Sequence, residues 1–143
     1  MFSAMPDALR RHRRKPMHAA DDLAEILTLL ERQAMAWNRG DLDAFMEGYW
    51  PHPQLRYANG NPPVRGWTAL YQSYRERYGQ NRLEGRLTFG DVEVEFLGDE
   101  HAMVFGSYAV DTGADHAHGN YTLILRRLPV GWRIVADQSS AAH

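Results

Sequence analysis

Apolar residues recur at intervals of three and four along the first helix that the sequence predicts. From Asp21 onward they form one stripe, which consists of Leu23, Ile26, Leu27, Leu30, Ala34 and Trp37. Asp22 and Glu25 lie where a capping pair would stand at the start of this helix. Gly40 can adopt the left-handed conformation that ends a helix, so we expect the helix to stop there.

Two further helices are predicted before residue 80. Asp41 can cap a second helix, whose apolar residues are Leu42, Phe45, Met46 and Tyr49, and the prolines of the segment PHP end it. The third helix has an aromatic stripe at helical spacing, made of Trp67, Leu70, Tyr71, Tyr74 and Tyr78, and Gly79 marks its end. Between these helices, residues 54–58 favour a short strand and residues 59–63 favour a turn.

The second half of the chain predicts β-structure. Four long strands are expected, at about residues 86–97, 101–111, 117–127 and 131–139, and the short turns between them indicate antiparallel neighbours. In the first of these strands the alternation slips near Gly90, which predicts a β-bulge. Three helices followed by such a meander predict an α+β fold, in which the helices pack on one face of a curved, mainly antiparallel sheet.

The chain has 143 residues, and a cluster of basic residues lies near its N-terminus. Residues 20–143 are enough for one domain, whereas residues 1–19 contain the basic segment RRHRRKP and few apolar residues, which predicts a solvated tail. A nucleic-acid-binding arm is the alternative interpretation of the tail. Because no aromatic residues alternate with the basic ones and the net charge is −2, we expect no nucleic-acid partner.

Composition also narrows the chemistry. The chain has no cysteine, which excludes disulfides, thiolate metal sites and cysteine nucleophiles and fits a cytoplasmic location. No apolar stretch reaches the roughly 20 residues that a membrane helix needs, so we expect no membrane partner. His116 and His118 alternate as metal ligands on a strand would, but the glycines around them favour an exposed hairpin loop, and no metal is expected.

Several phrases resemble the SnoaL-like family of the nuclear transport factor 2-like superfamily. They are AWNRGDLDAFMEGYW, VRGWTALYQSYRERY, GRLTF and YTLILRRLPVGWRIVADQSSA, and the resemblance extends from about Ala20 to Ala141. It implies the cone-shaped fold that ketosteroid isomerase and scytalone dehydratase share, with a pocket between the helices and the concave face of the sheet. It also implies a homodimer formed by sheet packing. For the exposed patch that such a dimer needs, we expect residues of the last three strands: Phe105, Tyr121, Leu123 and Trp132.

The resemblance does not assign a reaction. The final strand of relatives often has a histidine where this chain has Gln138, and glutamine can form hydrogen bonds but cannot transfer protons. Neither the catalytic carboxylate of the isomerase nor the paired histidines of the dehydratase has a matching stretch here. We expect the pocket to be lined by Trp37, Tyr49, Trp67, Tyr71, Tyr74, Tyr108 and Gln138.

Asp137 is the strongest candidate for chemistry, because it follows the apolar run of the last predicted strand. Burial would raise its pKa and suit it to act as a general base, with tyrosines such as Tyr57 donating hydrogen bonds to a developing oxyanion. Alternatively, Asp137 pairs with Arg126 or Arg127, or accepts a hydrogen bond from the first helix.

Two functions therefore stay open. One is an isomerase, dehydratase or cyclase that acts by proton transfer on a hydrophobic small molecule without a cofactor. The other is a non-catalytic module that binds such a ligand or serves for dimerisation. An open cavity that contains Asp137 and a tyrosine hydroxyl would favour the enzyme, and a cavity filled by tryptophan and tyrosine side chains would favour the module.

Overall fold

The computed structural model of the protein describes residues 16–78 and 85–142. The three predicted helices are present within these ranges: α1 (Pro16–Asn38), α2 (Leu42–Met46) and α3 (Trp67–Tyr78). Most of the basic segment RRHRRKP and the predicted stop at Gly79 lie outside the described residues. No helix in the described part of the chain is both long and apolar enough to cross a bilayer.

The first helix differs from its prediction in where it begins and which side it buries. It starts at Pro16 rather than at Asp21, and Leu23 and Leu27 of the predicted stripe are exposed. The buried positions are instead Asp22, Ile26, Leu29, Leu30, Gln33, Ala36 and Trp37. The buried side of α1 is thus rotated from the predicted stripe and contains two polar residues.

Asp22 and Glu25 do not form a capping pair, because both bind the ends of the last two strands, next to the turn that joins them. Asp22 accepts a hydrogen bond from the indole Nε1 of Trp132 at 3.1 Å and forms an ion pair with Arg127. Glu25 accepts the backbone N–H of Trp132 at 2.6 Å. These contacts attach α1 to the sheet and explain why a carboxylate is buried in its first turns.

The connection to α2 follows the predicted chemistry. Gly40 has a φ of 73°, the left-handed conformation that ends α1, and Asp41 accepts a hydrogen bond from the backbone N–H of Ala44 at 3.0 Å. Tyr49 lies beyond the end of α2 and is placed by a parallel bridge between its backbone and that of Ile134. Its side chain therefore starts next to the last strand.

In the described part of the chain, six strands form one sheet in the order β2-β1-β6-β5-β4-β3. Their bounds are β1 (Arg56–Ala58), β2 (Val64–Arg65), β3 (Arg86–Phe96), β4 (His101–Asp111), β5 (His116–Leu128) and β6 (Gly131–Ala141). All neighbours are antiparallel except β1 and β6, which are parallel. The predicted bulge is present, since the register of β3 shifts between Gly90 and Glu93, and β2 was not predicted.

The inner face of the sheet packs on the helices and forms the core. Tyr121, Leu123 and Trp132 belong to this face and are only 5%, 4% and 1% exposed, so the prediction that they supply an exposed patch is wrong. Alternation along the strands explains the difference, because these residues point to the same side as the core residues Val104 and Leu125. Phe105 does lie on the outer face and is 45% exposed.

Candidate functional site

A cavity of about 470 Å³ lies between the helices and the inner face of the sheet. Side chains from all three described helices, from five of the strands and from the connections around them line it, and many are aromatic. Its size falls within the range of small-molecule sites in proteins, roughly 300–1,000 Å³. The curved sheet and the helices thus leave a space that a small molecule can occupy.

The carboxylate of Asp137 faces this cavity from β6. In the sheet, Asp137 is paired with Leu123 on one side and with Tyr57 on the other, so it points to the inner face. Tyr49 donates a hydrogen bond to Oδ2 of Asp137 at 2.6 Å, and it is the one donor to this carboxylate among the described residues. Burial raises the pKa of Asp137 to about 6, although the bond from Tyr49 lowers it in part.

The alternative partners expected for Asp137 are engaged elsewhere. Arg127 pairs with Asp22, and Arg126 lies over the ring of Trp50 at 5.9 Å from its centroid. No backbone amide of α1 bonds to Asp137 within the described ranges. The ion-pair interpretation of Asp137 is therefore wrong.

Tyrosine hydroxyls surround this carboxylate. Burial, followed by the negative charge of Asp137, raises the pKa of Tyr49 well above 10.0 and that of Tyr121 to about 12. Burial also raises the pKa of Tyr74, whose hydroxyl donates to that of Tyr57 at 3.5 Å. The hydroxyls of Tyr49, Tyr74 and Tyr121 consequently stay protonated near neutral pH, which suits them to donate hydrogen bonds.

Six of the residues expected at the site line the cavity. They are Asp137, Tyr57, Trp37, Tyr49, Tyr74 and Tyr108. Trp67 and Tyr71 do not line it, although they belong to the same aromatic stripe of α3. They stack on each other, the indole of Trp67 donates to the carbonyl of Met46 at 3.1 Å, and Tyr71 donates to Asp43 at 2.6 Å.

Gln138 does not line this cavity either, because it follows Asp137 on a strand and points to the outer face of the sheet. Its neighbours there are Thr122 on β5 and Ala58 on β1. A histidine at this position would also face away from the cavity. Glutamine rather than histidine at position 138 therefore removes no proton-transfer group from the cavity wall.

Sequence reasoning missed several residues of the wall, of which Tyr121, Arg77 and Tyr78 bear on the chemistry. The hydroxyl of Tyr121 is buried and has no hydrogen-bond partner in the described part of the chain. Gly106 makes space for it, since a Cβ at Gly106 would lie only 2.8 Å from this hydroxyl. Alternation places Tyr121 on the same face as Leu123 and Leu125, but it does not tell which face the helices cover.

The two histidines of the segment DHAHGN lie within β5, not in a hairpin loop. Both are exposed, and Nδ1 of His116 lies 3.2 Å from a carboxylate oxygen of Asp111 on the neighbouring strand. Among the described residues, no three histidine, aspartate or glutamate side chains are grouped as metal ligands. The turn between β4 and β5 is made by residues 112–115 instead.

Comparison with known proteins identifies the family. The SnoaL-like domain family matches residues 18–136. Among solved structures, a nuclear transport factor 2-like protein of unknown function from Shewanella oneidensis is 35% identical, with a TM-score of 0.77, over 82% of this chain and 98% of that one. A search of curated proteins gave no match.

Two more distant structures share the fold. A ketosteroid isomerase-like protein from Erwinia carotovora is 18% identical, covers 85% of this chain and 97% of its own, and has a TM-score of 0.68. A nuclear transport factor 2-like superfamily protein from Salmonella enterica is 15% identical, with a TM-score of 0.72, over 87% of this chain and 94% of that one. From the match over residues 18–136 and the 35% identity to the Shewanella oneidensis protein, the chain belongs to the SnoaL-like domain family of nuclear transport factor 2-like proteins.

Proposed function

We propose that the protein is an enzyme that moves a proton on a hydrophobic small molecule, with Asp137 as the general base. The observation that carries this proposal is the Asp137 carboxylate, which faces a cavity of about 470 Å³ and has a pKa of about 6. With this pKa the carboxylate is mostly ionised at pH 7, yet it is a stronger base than an ordinary aspartate.

The tyrosines would stabilise the negative charge that this proton transfer creates. When a base removes a proton beside a carbonyl group, negative charge develops on the carbonyl oxygen, and hydrogen-bond donors that already point at it lower the barrier. The hydroxyls of Tyr57 and Tyr74 are hydrogen-bonded to each other in the same cavity, and the buried hydroxyl of Tyr121 has no hydrogen-bond partner among the described residues. A base and neutral donors are sufficient for an isomerisation or a dehydration, so the proposed reaction needs no cofactor.

The cavity wall favours an oxygenated substrate with a largely apolar body. Apolar surface of the wall is contributed by Trp37, Phe45, Leu87, Phe89 and Leu123.

The alternative function is a module without catalysis, in which aromatic side chains were expected to fill the cavity. The cavity is open rather than filled by such side chains, and it contains the Asp137 carboxylate together with tyrosine hydroxyls. This arrangement favours the enzyme.

Exchange of α-protons in D2O tests this function without knowledge of the natural substrate. The probe is 2-tetralone, a two-ring ketone with acidic protons beside its carbonyl group, and proton NMR follows their replacement by deuterium. We expect the wild-type protein to accelerate exchange, with a rate that rises as the pH passes about 6. Asp137→Asn should lower the protein-catalysed rate by about 100-fold or more, the usual contribution of a general base.

Asp43→Asn is the matched control for this experiment. Asp43 also accepts a tyrosine hydrogen bond of 2.6 Å, but it lies outside the cavity, so its variant should exchange protons at the wild-type rate. Equal rates for wild type and Asp137→Asn would contradict the assignment of the base.

We also propose that two copies associate through the outer face of the sheet. Phe105 is exposed there, beside the half-buried Met103 and Ile124, whose positions are adjacent on β4 and β5. Light scattering of the wild type should give twice the mass of one chain. Phe105→Glu should place charges in this patch and give the single-chain mass, whereas a monomeric wild type at micromolar concentration would contradict the proposal.

A further inference from the structure

One face of α3 presents a cation to the cavity. Tyr74, Arg77 and Tyr78 are spaced at i, i+3 and i+4, so they share a face of the helix, and all three line the cavity. Arg77 is the only positively charged residue among the described residues of the wall. Arg77 is exposed to solvent, so it lies at the rim of the cavity rather than in its interior.

Aromatic rings position this guanidinium. Its central carbon lies 5.4 Å from the ring centroid of Tyr74 and 5.8 Å from that of Tyr78, distances typical of cation–π contacts. No carboxylate of the described residues lies within 4.0 Å of Arg77, whereas Arg127 and Arg39 each have a carboxylate partner. Arg77 also interacts with the hydroxyls of Tyr57 and Tyr78, but none of its hydrogen-bond donors is committed to an acidic side chain of the described chain.

Tyr74 connects the rim to the proposed base. Its ring lies under Arg77, its hydroxyl bonds to that of Tyr57, and the charge of Asp137 acts on it. A ligand that reaches Asp137 along this tyrosine would therefore extend to the guanidinium, and its body would cover the rim and remove water from around the charge. A charge-assisted hydrogen bond is strengthened when water is excluded in this way.

We propose that Arg77 binds a carboxylate of the ligand, so that the substrate class is a hydrophobic carbonyl compound with one carboxylate group. This inference rests on the proposed function of the cavity. A singly charged planar carboxylate suits the geometry, because a guanidinium can bind its two oxygens side by side. The described wall carries one positive charge, on Arg77, and two acidic side chains, Asp115 and Asp137, so a doubly charged phosphate would meet more repulsion.

Calorimetric binding of two matched probes tests this proposal. The probes are 2-naphthoate and its neutral analogue 2-naphthamide, which have the same two-ring body and differ in charge. At pH 8 we expect the wild-type protein to bind 2-naphthoate about tenfold more tightly than 2-naphthamide, a typical gain for a hydrogen bond to a charged group. Arg77→Gln should abolish this preference and leave the affinity for 2-naphthamide nearly unchanged, and Arg77→Lys should retain part of it.

Arg75→Gln is the control variant, because Arg75 also lies over a tyrosine of α3, at 5.7 Å from the ring of Tyr71, but not in the cavity wall. It should keep the full preference. Asp115→Asn should strengthen binding of 2-naphthoate, because it removes a negative charge from the wall.

The outcomes separate this proposal from the function on which it rests. Equal affinity of the wild type for both probes, or an unchanged preference in Arg77→Gln, would overturn the role of Arg77 and leave the ligand-binding cavity in place. Failure of both probes to bind at millimolar concentration would overturn the proposal together with the proposed function. Melting curves recorded beside the titrations check that each variant is folded, and the wild-type comparison of the two probes needs no variant.

Discussion

Replacing Asp137 with asparagine should stabilise the protein at neutral pH, although it removes the proposed base. The pKa of Asp137 is raised from 3.8 to about 6 by burial in the folded protein. Each pKa unit corresponds to about 1.4 kcal/mol, so the ionised carboxylate costs about 3 kcal/mol of folding free energy at neutral pH. Asparagine has nearly the same shape, carries no charge and still accepts a hydrogen bond from Tyr49.

The direction of the pH dependence follows from proton binding. Between pH 3.8 and about 6 the folded state binds more protons at Asp137 than the unfolded state does. The free energy of unfolding contributed by this group therefore falls as the pH rises through this range and is constant above about pH 7. Relative to wild type, Asp137→Asn should be equally stable near pH 4 and gain up to about 3 kcal/mol by pH 7.5.

Urea unfolding followed by tryptophan fluorescence at pH 4.5 and pH 7.5 measures this difference. Asp43→Asn serves as the control, since it changes a tyrosine-bonded aspartate outside the cavity. A gain of at least about 1 kcal/mol between the two pH values, confined to Asp137→Asn, is the predicted result. If Asp137→Asn were less stable than wild type at pH 7.5, the reasoning would be refuted, because the carboxylate would then be a structural group rather than a strained functional one.

Three further changes test other contacts. Tyr49→Phe removes the hydrogen bond that lowers the pKa of Asp137, so carbon-13 NMR should place the carboxyl titration above about 6; an unchanged midpoint would contradict this. Tyr121→Phe removes a buried hydroxyl without a described partner and should raise the free energy of unfolding by about 1 kcal/mol in urea, where a loss would indicate a hidden partner. Asp22→Ala should cost about 2 kcal/mol, because it leaves the buried indole N–H of Trp132 without an acceptor and removes the ion pair of the half-buried Arg127, whereas Asp21→Ala on the exposed side should change stability by less than about 0.5 kcal/mol.

The order of the helices and long strands was predictable because each depends on local periodicity. The bounds of α3 and β4 match their predictions, and the slip near Gly90 locates a real bulge. The orientation of α1 was not predictable in the same way. The buried Asp22 binds Arg127 and Trp132, which lie more than 100 residues later in the chain. Hydrophobic periodicity carries no information about such distant contacts.

The site was predictable where a single residue conflicted with its surroundings. Asp137 stood out because a carboxylate follows an apolar strand segment, and it does face the cavity. Tyr121 was assigned to the wrong face because alternation divides a strand into two faces without telling which is covered. Arg77 was overlooked for a related reason, since charged residues near the end of a helix usually face solvent, and only the packed structure brings this one to the rim.

The pKa of the Asp137 carboxyl group, measured by carbon-13 NMR, tests the central claim most directly. The side-chain carboxyl signals of labelled wild-type protein are followed from pH 3 to pH 9, and the signal of Asp137 is identified by its absence in Asp137→Asn. We expect a midpoint near 6 for this signal, together with perturbation by a bound naphthyl probe. A midpoint at or below 4 would overturn the assignment of Asp137 as the base, because Asp137 would then be an ordinary solvated carboxylate and too weak a base for the proposed proton transfer.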